Sequence, residues 1–430
     1  MPRVKTKIET LQESSIFISR ISFVLVFHLI STAVFPSSKI PLIFSTLFSA
    51  TIVSQTTMFR NLRRQISRYA YEINEVKEIT LPDDRKDLII SIYDLKSYLA
   101  NAQKWNNRRR LLFRQMSPLQ QKIASSINYP NKLNLVDQYF EKNNKIIDQI
   151  VKSSINKYNV KDYELQFVEE QASLQKRNQF FRVVESLCHY ARDWSKKPSE
   201  EISPLLEYIM LQCKDLNDDK TVAIVPGSGL GRVAHELAAQ LKLSSVHAVE
   251  FSWSMVLMNE FLYSTMENVN DLNVYPYLHT YSNHLTIEDQ VRPVEIMHSL
   301  EKPQSLNIHH GDFTQFNLSD HLKANEDPEN LLIVTCFFLD TAENLISYFQ
   351  AINKLSSGFN GKVKWINLGP LKYGTAAKIE LCDDEMKAII KTMGWNFVDE
   401  QKPKLLGYLT DKKGLWQGYY DVTMWTAEKQ

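Results

Sequence analysis

Cysteine is scarce: Cys188, Cys213, Cys336 and Cys382 are the only four in 430 residues, too scattered for a disulfide scaffold and without the C-x-x-C spacing of a zinc site. Thiols used this way fit a reducing compartment. Net charge is missing as well. Fifty basic residues stand against 49 acidic ones, a formal balance of +1, so the chain as a whole offers no field to hold DNA or RNA. Glycine is sparse at 12 residues, and no internal repeat or low-complexity tract is visible. Apolar residues are plentiful, at 44% against 23% charged, which allows a large core and excludes wholesale disorder.

Long apolar runs occur only at the start. IFISRISFVLVFHLISTAVF from Ile16 is followed by a break at Pro36 to Lys39 and then by IPLIFSTLFSATIV. Arg3, Lys5 and Lys7 precede the pair, and Arg60, Arg63, Arg64 and Arg68 follow it. By the positive-inside rule both flanks lie in the cytosol, so residues 1–60 are expected to be a membrane-associated segment, a transmembrane helix pair or re-entrant hairpin, with the remainder facing the cytosol. A hairpin packed on the soluble part, leaving the protein cytoplasmic, is the alternative. A cleaved signal peptide fits less well, since the apolar stretch is too long and the flank after it too basic.

Residues 61–216 read as a helical region, with apolar residues at three- and four-residue steps in DRKDLIISIYDLKSYLANAQ and LNLVDQYFEKNNKIIDQIVKSSINKY. From 217 to 430 the pattern changes. The short β-branched runs TVAIV, SSVHAVE, LLIVTCFF and KVKWINL alternate with amphipathic segments, which predicts an α/β domain built on a parallel sheet covered by helices.

The strand TVAIV runs straight into Pro226-Gly227-Ser228-Gly229-Leu230-Gly231-Arg232 and then a helical stretch. Glycines allow a sharp turn and close backbone approach to a ligand, beside the free N–H groups of a helix start. The third glycine falls one residue early for the dinucleotide spacing G-x-G-x-x-G, which disfavours a nicotinamide oxidoreductase. The next strand ends in Glu250, at the distance where a carboxylate takes ribose hydroxyls. Gly311-Asp312-Phe313 follows a further strand, placing an acceptor and an aromatic ring where a flat heterocycle would lie. Each feature has a structural alternative: a tight turn for the glycines, helix capping for Glu250 and Asp312.

In longer stretches the sequence resembles the carnosine N-methyltransferase family, also called N2227-like. The matching segments are ARDWS at Ala191, VPGSGLGR at Val225, EFSWSM at Glu250, YPYLHTYSNH at Tyr275, DQVRP at Asp289, GDF at Gly311, TCFFLDTAEN at Thr335, WINLGPLKY at Trp365 and GYYD at Gly418. The resemblance implies a Rossmann-like class I methyltransferase sheet preceded by the helical N-terminal region. It implies transfer of a methyl group from S-adenosyl-L-methionine to an imidazole nitrogen of a histidine-containing dipeptide, carnosine to anserine. Matched position by position, it puts Arg192, Gly227, Gly229, Glu250, Asp312, Phe313 and His189 at the cofactor, although the family tends to have glutamine at position 189. Asp340 becomes the acidic residue facing the substrate, with Tyr373, Tyr419 and Tyr420 lining the same pocket. A homodimer is admitted as a partner state.

Two departures stand out. Tyr373 is followed by Gly374 where the family has a histidine that contacts the dipeptide, and Ala248-Val249 replaces the usual Gly-Asn before the ribose acid. The first leaves a peptide or protein histidine open as the acceptor. A non-catalytic, membrane-tethered binding protein is the reading from a different class. A neutral imidazole is already nucleophilic at neutral pH, so Asp340 is expected to orient the ring rather than act as a strong base, or else to cap the helix in TAENLISYF. The insert Tyr275 to Pro293 is expected to wall or cover the pocket. Its His279 and His284, with His309 and His310 nearby, read as packing or hydrogen-bonding groups, with no metal required.

Overall fold

The computed structural model describes residues 7–36, 38–54, 81–175, 179–197, 199–264, 272–323 and 326–430. The chain divides into two compact units, Met1–Leu81 and Pro82–Gln430.

In the first unit, the helix Lys7–Val34 meets the helix Ile40–Ser54, and His28 Nδ1 lies 2.9 Å from Ser45 Oγ across the pair. Among the described residues no helix is long and apolar enough to cross a membrane, which corrects the transmembrane expectation. The physical reasons differ for the two. Ile40–Ser54 has only 15 residues, about 22 Å at 1.5 Å per residue against a hydrocarbon core of about 30 Å. Lys7–Val34 has 28 residues and includes Lys7, Glu9, Glu13, Arg20 and His28. The basic flanks at positions 3, 5, 60, 63, 64 and 68 lie outside the described residues.

The second unit is built on a seven-stranded sheet. Its strands are β1 (Thr221–Pro226), β2 (Ser245–Glu250), β5 (Leu306–His310), β6 (Asn330–Cys336), β7 (Val363–Gly369), β8 (Trp395–Gly407) and β9 (Tyr419–Lys429). A separate antiparallel pair is formed by β3 (Leu272–Val274) and β4 (Val294–Ile296). The order in the large sheet is β5-β2-β1-β6-β7-β9-β8, parallel from β5 through β7, with β9 antiparallel to both β7 and β8. This is the class I methyltransferase arrangement that the alternating pattern and the resemblance led one to expect.

Every residue of β1 is buried because helices cover both faces, which is why its sequence is a continuous apolar run. Val222 and Ile224 join a core under the helices Leu345–Ser356 and Asp383–Thr392. Ala223 and Val225 face the opposite way, toward Ser203–Gln212 and Arg232–Gln240. After β1 the chain passes to β2 on one side and later returns to β6 on the other. The switch point, where such sheets open a crevice at the strand C-termini, therefore lies at the glycine turn.

The helices from Asp83 onward pack on this sheet domain. Ile89, Ile92, Tyr98, Phe140, Ile147 and Leu187 share one core with Trp253, Val256 and Phe261 of the helix that follows β2. The helix Phe180–Asp193 is pinned at its C-terminal end: Tyr190 donates to the Met258 carbonyl at 2.5 Å and Trp194 Nε1 to the Leu230 carbonyl at 2.9 Å. That anchoring brings His189 and Arg192 to the glycine turn.

Candidate active site

At the end of β1, Gly227, Gly229 and Gly231 all have positive φ, at 58°, 55° and 77°. The first two are needed for different reasons. A Cβ on Gly227 would lie 2.3 Å from the Phe338 ring, so this glycine lets the loop after β6 close over the turn. A Cβ on Gly229 would meet nothing within 4 Å, so its bare face borders open space. The Gly229 N–H donates to Glu250 Oε2 at 2.8 Å and the Ser252 N–H to Oε1 at 2.8 Å, which fixes the carboxylate beside the turn. Burial pushes Glu250 above the ordinary carboxylate range, while the N–H bonds and nearby His189 pull the other way.

Beyond Glu250 lies a flat crevice edge. Phe251 is 75% exposed, and His310 stacks on Trp253 at 4.0 Å while its Nδ1 meets Asp84 at 2.8 Å. Gly311 has nothing within 4 Å of a Cβ position. Asp312, exposed, accepts from the N–H and the hydroxyl of Thr314, both at 2.8 Å, so it caps the short turn Phe313–Gln315. Phe313 is buried with its ring edge-on to Phe338 at 5.7 Å.

Arg192 sits at the other end of the crevice. Its Nη1 donates to Asp193 Oδ1 at 2.8 Å, and the guanidinium lies 4.9 Å from the Tyr408 ring and 5.3 Å from that of Phe337, rings that stack at 4.8 Å. Its Nη2 is buried without a hydrogen-bond partner, and its Nε, also without one, faces Glu201 Oε2 at 3.7 Å. A buried N–H left unpaired is costly, and the open Nη2 can donate to an acceptor on a ligand. Burial alone would raise the Asp193 carboxyl, but Arg192, His189 and Arg232 outweigh it and hold the group below its usual range. His189 lies 3.7 Å from Asp193 through Nδ1 and 3.5 Å from the Tyr408 hydroxyl through Nε2. Arg192, His189, Gly227 and Gly229 together line a cavity of about 70 Å³ with Phe337 and Tyr408.

Asp340, 9% exposed, follows β6 and accepts the Lys372 backbone N–H at 3.0 Å. Burial raises its pKa and that N–H opposes the rise. The Lys372 ammonium lies 5.8 Å from the Tyr420 ring, and Tyr420 is edge-on to Tyr408 at 6.5 Å. Lys372, Tyr420, Tyr408, Phe337 and Arg192 thus form a series of neighbours, to which Asp340 is joined through the Lys372 backbone N–H. The other two tyrosines are turned differently. Tyr373 spends its hydroxyl on the Leu381 carbonyl at 2.9 Å, and Tyr419, 42% exposed and adjacent to Tyr420 on a strand, bonds Gln417 at 2.6 Å. Successive strand residues face opposite sides of a sheet, so Tyr419 and Tyr420 do not line one wall.

Several participants had no distinct signal in the sequence. Phe337 has φ 52°, a strained value for a bulky residue. Tyr408 lies just past β8. Glu201 accepts the N–H groups of Leu409 and Thr410, each at 2.9 Å, and stands 3.7 Å from Arg192, so it ties the β8–β9 connection to the arginine. Phe337 stands inside the distinctive word TCFFLDTAEN, which could have flagged it; Glu201 and Tyr408 come from segments with no motif of their own. The insert Tyr275–Pro293 has two contacts at once. Asn143 bonds both the N–H and the carbonyl of Tyr275, and Tyr98 bonds His279 at 2.8 Å, while Tyr277 and Thr280 line a cleft of about 1040 Å³ that reaches Arg192.

The family model for carnosine N-methyltransferase matches residues 169–430. An uncharacterized protein of Saccharomyces cerevisiae is 26% identical over 382 residues, covering 80% of each chain. The carnosine N-methyltransferase of Schizosaccharomyces pombe is 26% identical over 84% of this chain and 98% of its own length. That of Mus musculus is 27% identical over 75% of this chain and 81% of its own.

Proposed function

Because the chain belongs to the carnosine N-methyltransferase family, we propose that it methylates a ring nitrogen of the histidine imidazole in a small histidine-containing dipeptide. The chain is an S-adenosylmethionine-dependent N-methyltransferase; the imidazole acceptor is the step beyond that. The residues present suit the cofactor. Arg192 has an open Nη2 donor for its carboxylate, Glu250 has acceptor capacity for the ribose hydroxyls, and exposed Phe251 with Asp312 borders the space an adenine would fill.

The bound sulfonium supplies the methyl group. The protein's part is alignment, exclusion of water and charge compensation. Asp340 accepts the N–H of one ring nitrogen, which fixes the tautomer and leaves the lone pair of the other directed along the line of attack. As the ring takes on positive charge, the same carboxylate offsets it. Phe337 and Tyr408, stacked at 4.8 Å, shield the path between Arg192 and Asp340. The observation that carries this reading is the buried Asp340 carboxylate, which accepts the Lys372 backbone N–H on Oδ2. A carboxylate of two oxygens retains room for a further donor.

A second reading, a histidine within a peptide or protein chain, is favoured by Gly374, where a Cβ would meet nothing within 4 Å, and by the size of the 1040 Å³ cleft. The test is methyl transfer from labelled S-adenosylmethionine to imidazole dipeptides and, in parallel, to proteins of a cell extract. Label on a dipeptide imidazole is the expected result. Cofactor binding with label only on protein would overturn the dipeptide reading.

A further inference from the structure

The overall charge balance of +1 conceals one lopsided stretch: residues 95–136 carry eight basic side chains and no acidic one. Arg110 pairs with Asp137, and Arg109 lies over the Tyr281 ring at 4.0 Å, so these two are engaged. Lys104, Arg108, Arg114 and Lys122 are exposed and form no ion pair among the described residues.

Exposed apolar side chains share this stretch. The helix Pro118–Ser126 buries none of its residues, and its start is held by local groups instead: Ser117 Oγ accepts the Gln120 N–H, and Gln120 Oε1 accepts the Ser117 N–H at 2.9 Å. Leu119, Ile123 and Ile127, at steps of four along one face, are 68%, 61% and 74% exposed. On the preceding helix, Tyr98–Arg114, Lys104 and Arg108 continue at helical steps into Leu111 and Leu112, both more than half exposed. Cations and apolar groups share one side of that helix.

Such a surface matches a partner that is anionic outside and apolar beneath, the order met on entering an anionic bilayer from water. A two-fold pairing with a second copy would set the same uncompensated cations against themselves. A nucleic acid would take the cations and leave the leucines and isoleucines without a partner.

We propose that residues 104–127 form an interaction surface for anionic phospholipid, with Lys104, Arg108, Arg114 and Lys122 meeting the headgroup phosphates and Leu119, Ile123 and Ile127 entering the acyl boundary. None of these residues lines the catalytic crevice, so methyl transfer proceeds whether or not the surface is occupied.

The test is flotation of the full chain with vesicles of phosphatidylcholine alone and of phosphatidylcholine mixed with phosphatidylserine. The wild type should favour the anionic vesicles, and added salt should weaken that preference. Each basic side chain near such a surface is worth about fivefold in binding, so Lys104→Gln, Arg108→Gln, Arg114→Gln and Lys122→Gln together should cut it about a hundredfold. Leu119→Ser, Ile123→Ser and Ile127→Ser together should weaken it at least about tenfold. Residues 1–81 are common to every variant, so any lipid affinity of the first unit cancels in the comparison. Tm and cofactor affinity should stay at wild-type values, because the altered side chains are exposed. Equal partition of the wild type into both kinds of vesicle, or an anionic preference undiminished in the glutamine variant, overturns the proposal. So does a dimer, seen by light scattering, that the serine variant abolishes, since the face would then belong to a second copy.

Discussion

Glu250 Oε2 accepts the N–H of Gly229 at 2.8 Å, so the acidic end of β2 and the glycine turn after β1 are one hydrogen-bonded unit. Neither half can be altered without disturbing the other. Glu250→Ala removes a ribose acceptor worth roughly 1.5–3 kcal/mol and also frees the turn, so S-adenosylmethionine affinity should fall about ten- to a hundredfold or more. Calorimetric titration of the folded variant measures this; unchanged affinity would remove Glu250 from the ribose site.

Asp340→Asn conserves volume and keeps an oxygen for the Lys372 N–H, so fold and cofactor affinity should survive. Its rate should drop about ten- to a hundredfold, because an amide neither enforces one imidazole tautomer nor offsets the ring's charge. Near-normal turnover would reduce Asp340 to a loop-stabilising role. Since burial raises the Asp340 pKa, the wild-type rate should decline with falling pH at a higher pH than an ordinary aspartate would give, and the asparagine variant should lack that limb.

The two inner glycines separate packing from ligand approach. Gly227→Ala adds a methyl group 2.3 Å from the Phe338 ring at φ 58°, so overlap and backbone strain together should cost about 2 kcal/mol or more of stability, seen as a lower Tm. Gly229→Ala meets nothing and carries only the strain of φ 55°, about 1–2 kcal/mol. It should stay folded yet bind the cofactor poorly, because its methyl group enters the open space. Paired thermal melts and binding titrations check the contrast; weaker melting in Gly229→Ala than in Gly227→Ala would refute it.

His279 should make the protein acid-sensitive. Desolvation is the main cause that lowers its pKa from 6.5 to about 4, with Arg109 adding to it and the Pro276 carbonyl opposing. A histidine with a depressed folded value favours the folded state above pH 6.5, and that contribution is lost as pH falls from 6.5 toward 4. The full effect is at most about 3 kcal/mol for this partly buried ring. His247, lowered to about 4, and His309, lowered to about 3, act in the same sense. His279→Phe loses the Tyr98 bond and some stability at all pH values, so the informative quantity is the slope of unfolding free energy against pH in urea titrations. That slope should become shallower between pH 6.5 and 4, by up to about 1.4 kcal/mol per pH unit; an unaltered slope would show that the ring is already charged in the folded protein.

The sheet domain was legible because its signals are local. A run of β-branched residues bordered by glycines can be read within a dozen positions, whereas the order of strands and the antiparallel β9 came only with the tertiary structure. The apolar start misled for an equally physical reason: composition reports how greasy a segment is, while spanning also needs length in one uninterrupted helix. Ile40–Ser54, with 15 residues, falls short of that length.

The linear chain determined the glycine turn, its acidic partner at Glu250, the position of Asp340 and the family to which they belong, because each depends on residues adjacent in sequence or on a strand–turn–helix unit. Only the tertiary structure decided which groups share the crevice. Arg192 meets Tyr408 and Phe337, Glu201 reaches the turn after β8, and Lys372 lies over Tyr420, through contacts between segments far apart in the chain. It also divided two neighbours that sequence treats alike, turning Tyr420 toward Tyr408 and Tyr419 away, since alternate residues of a strand must face opposite sides.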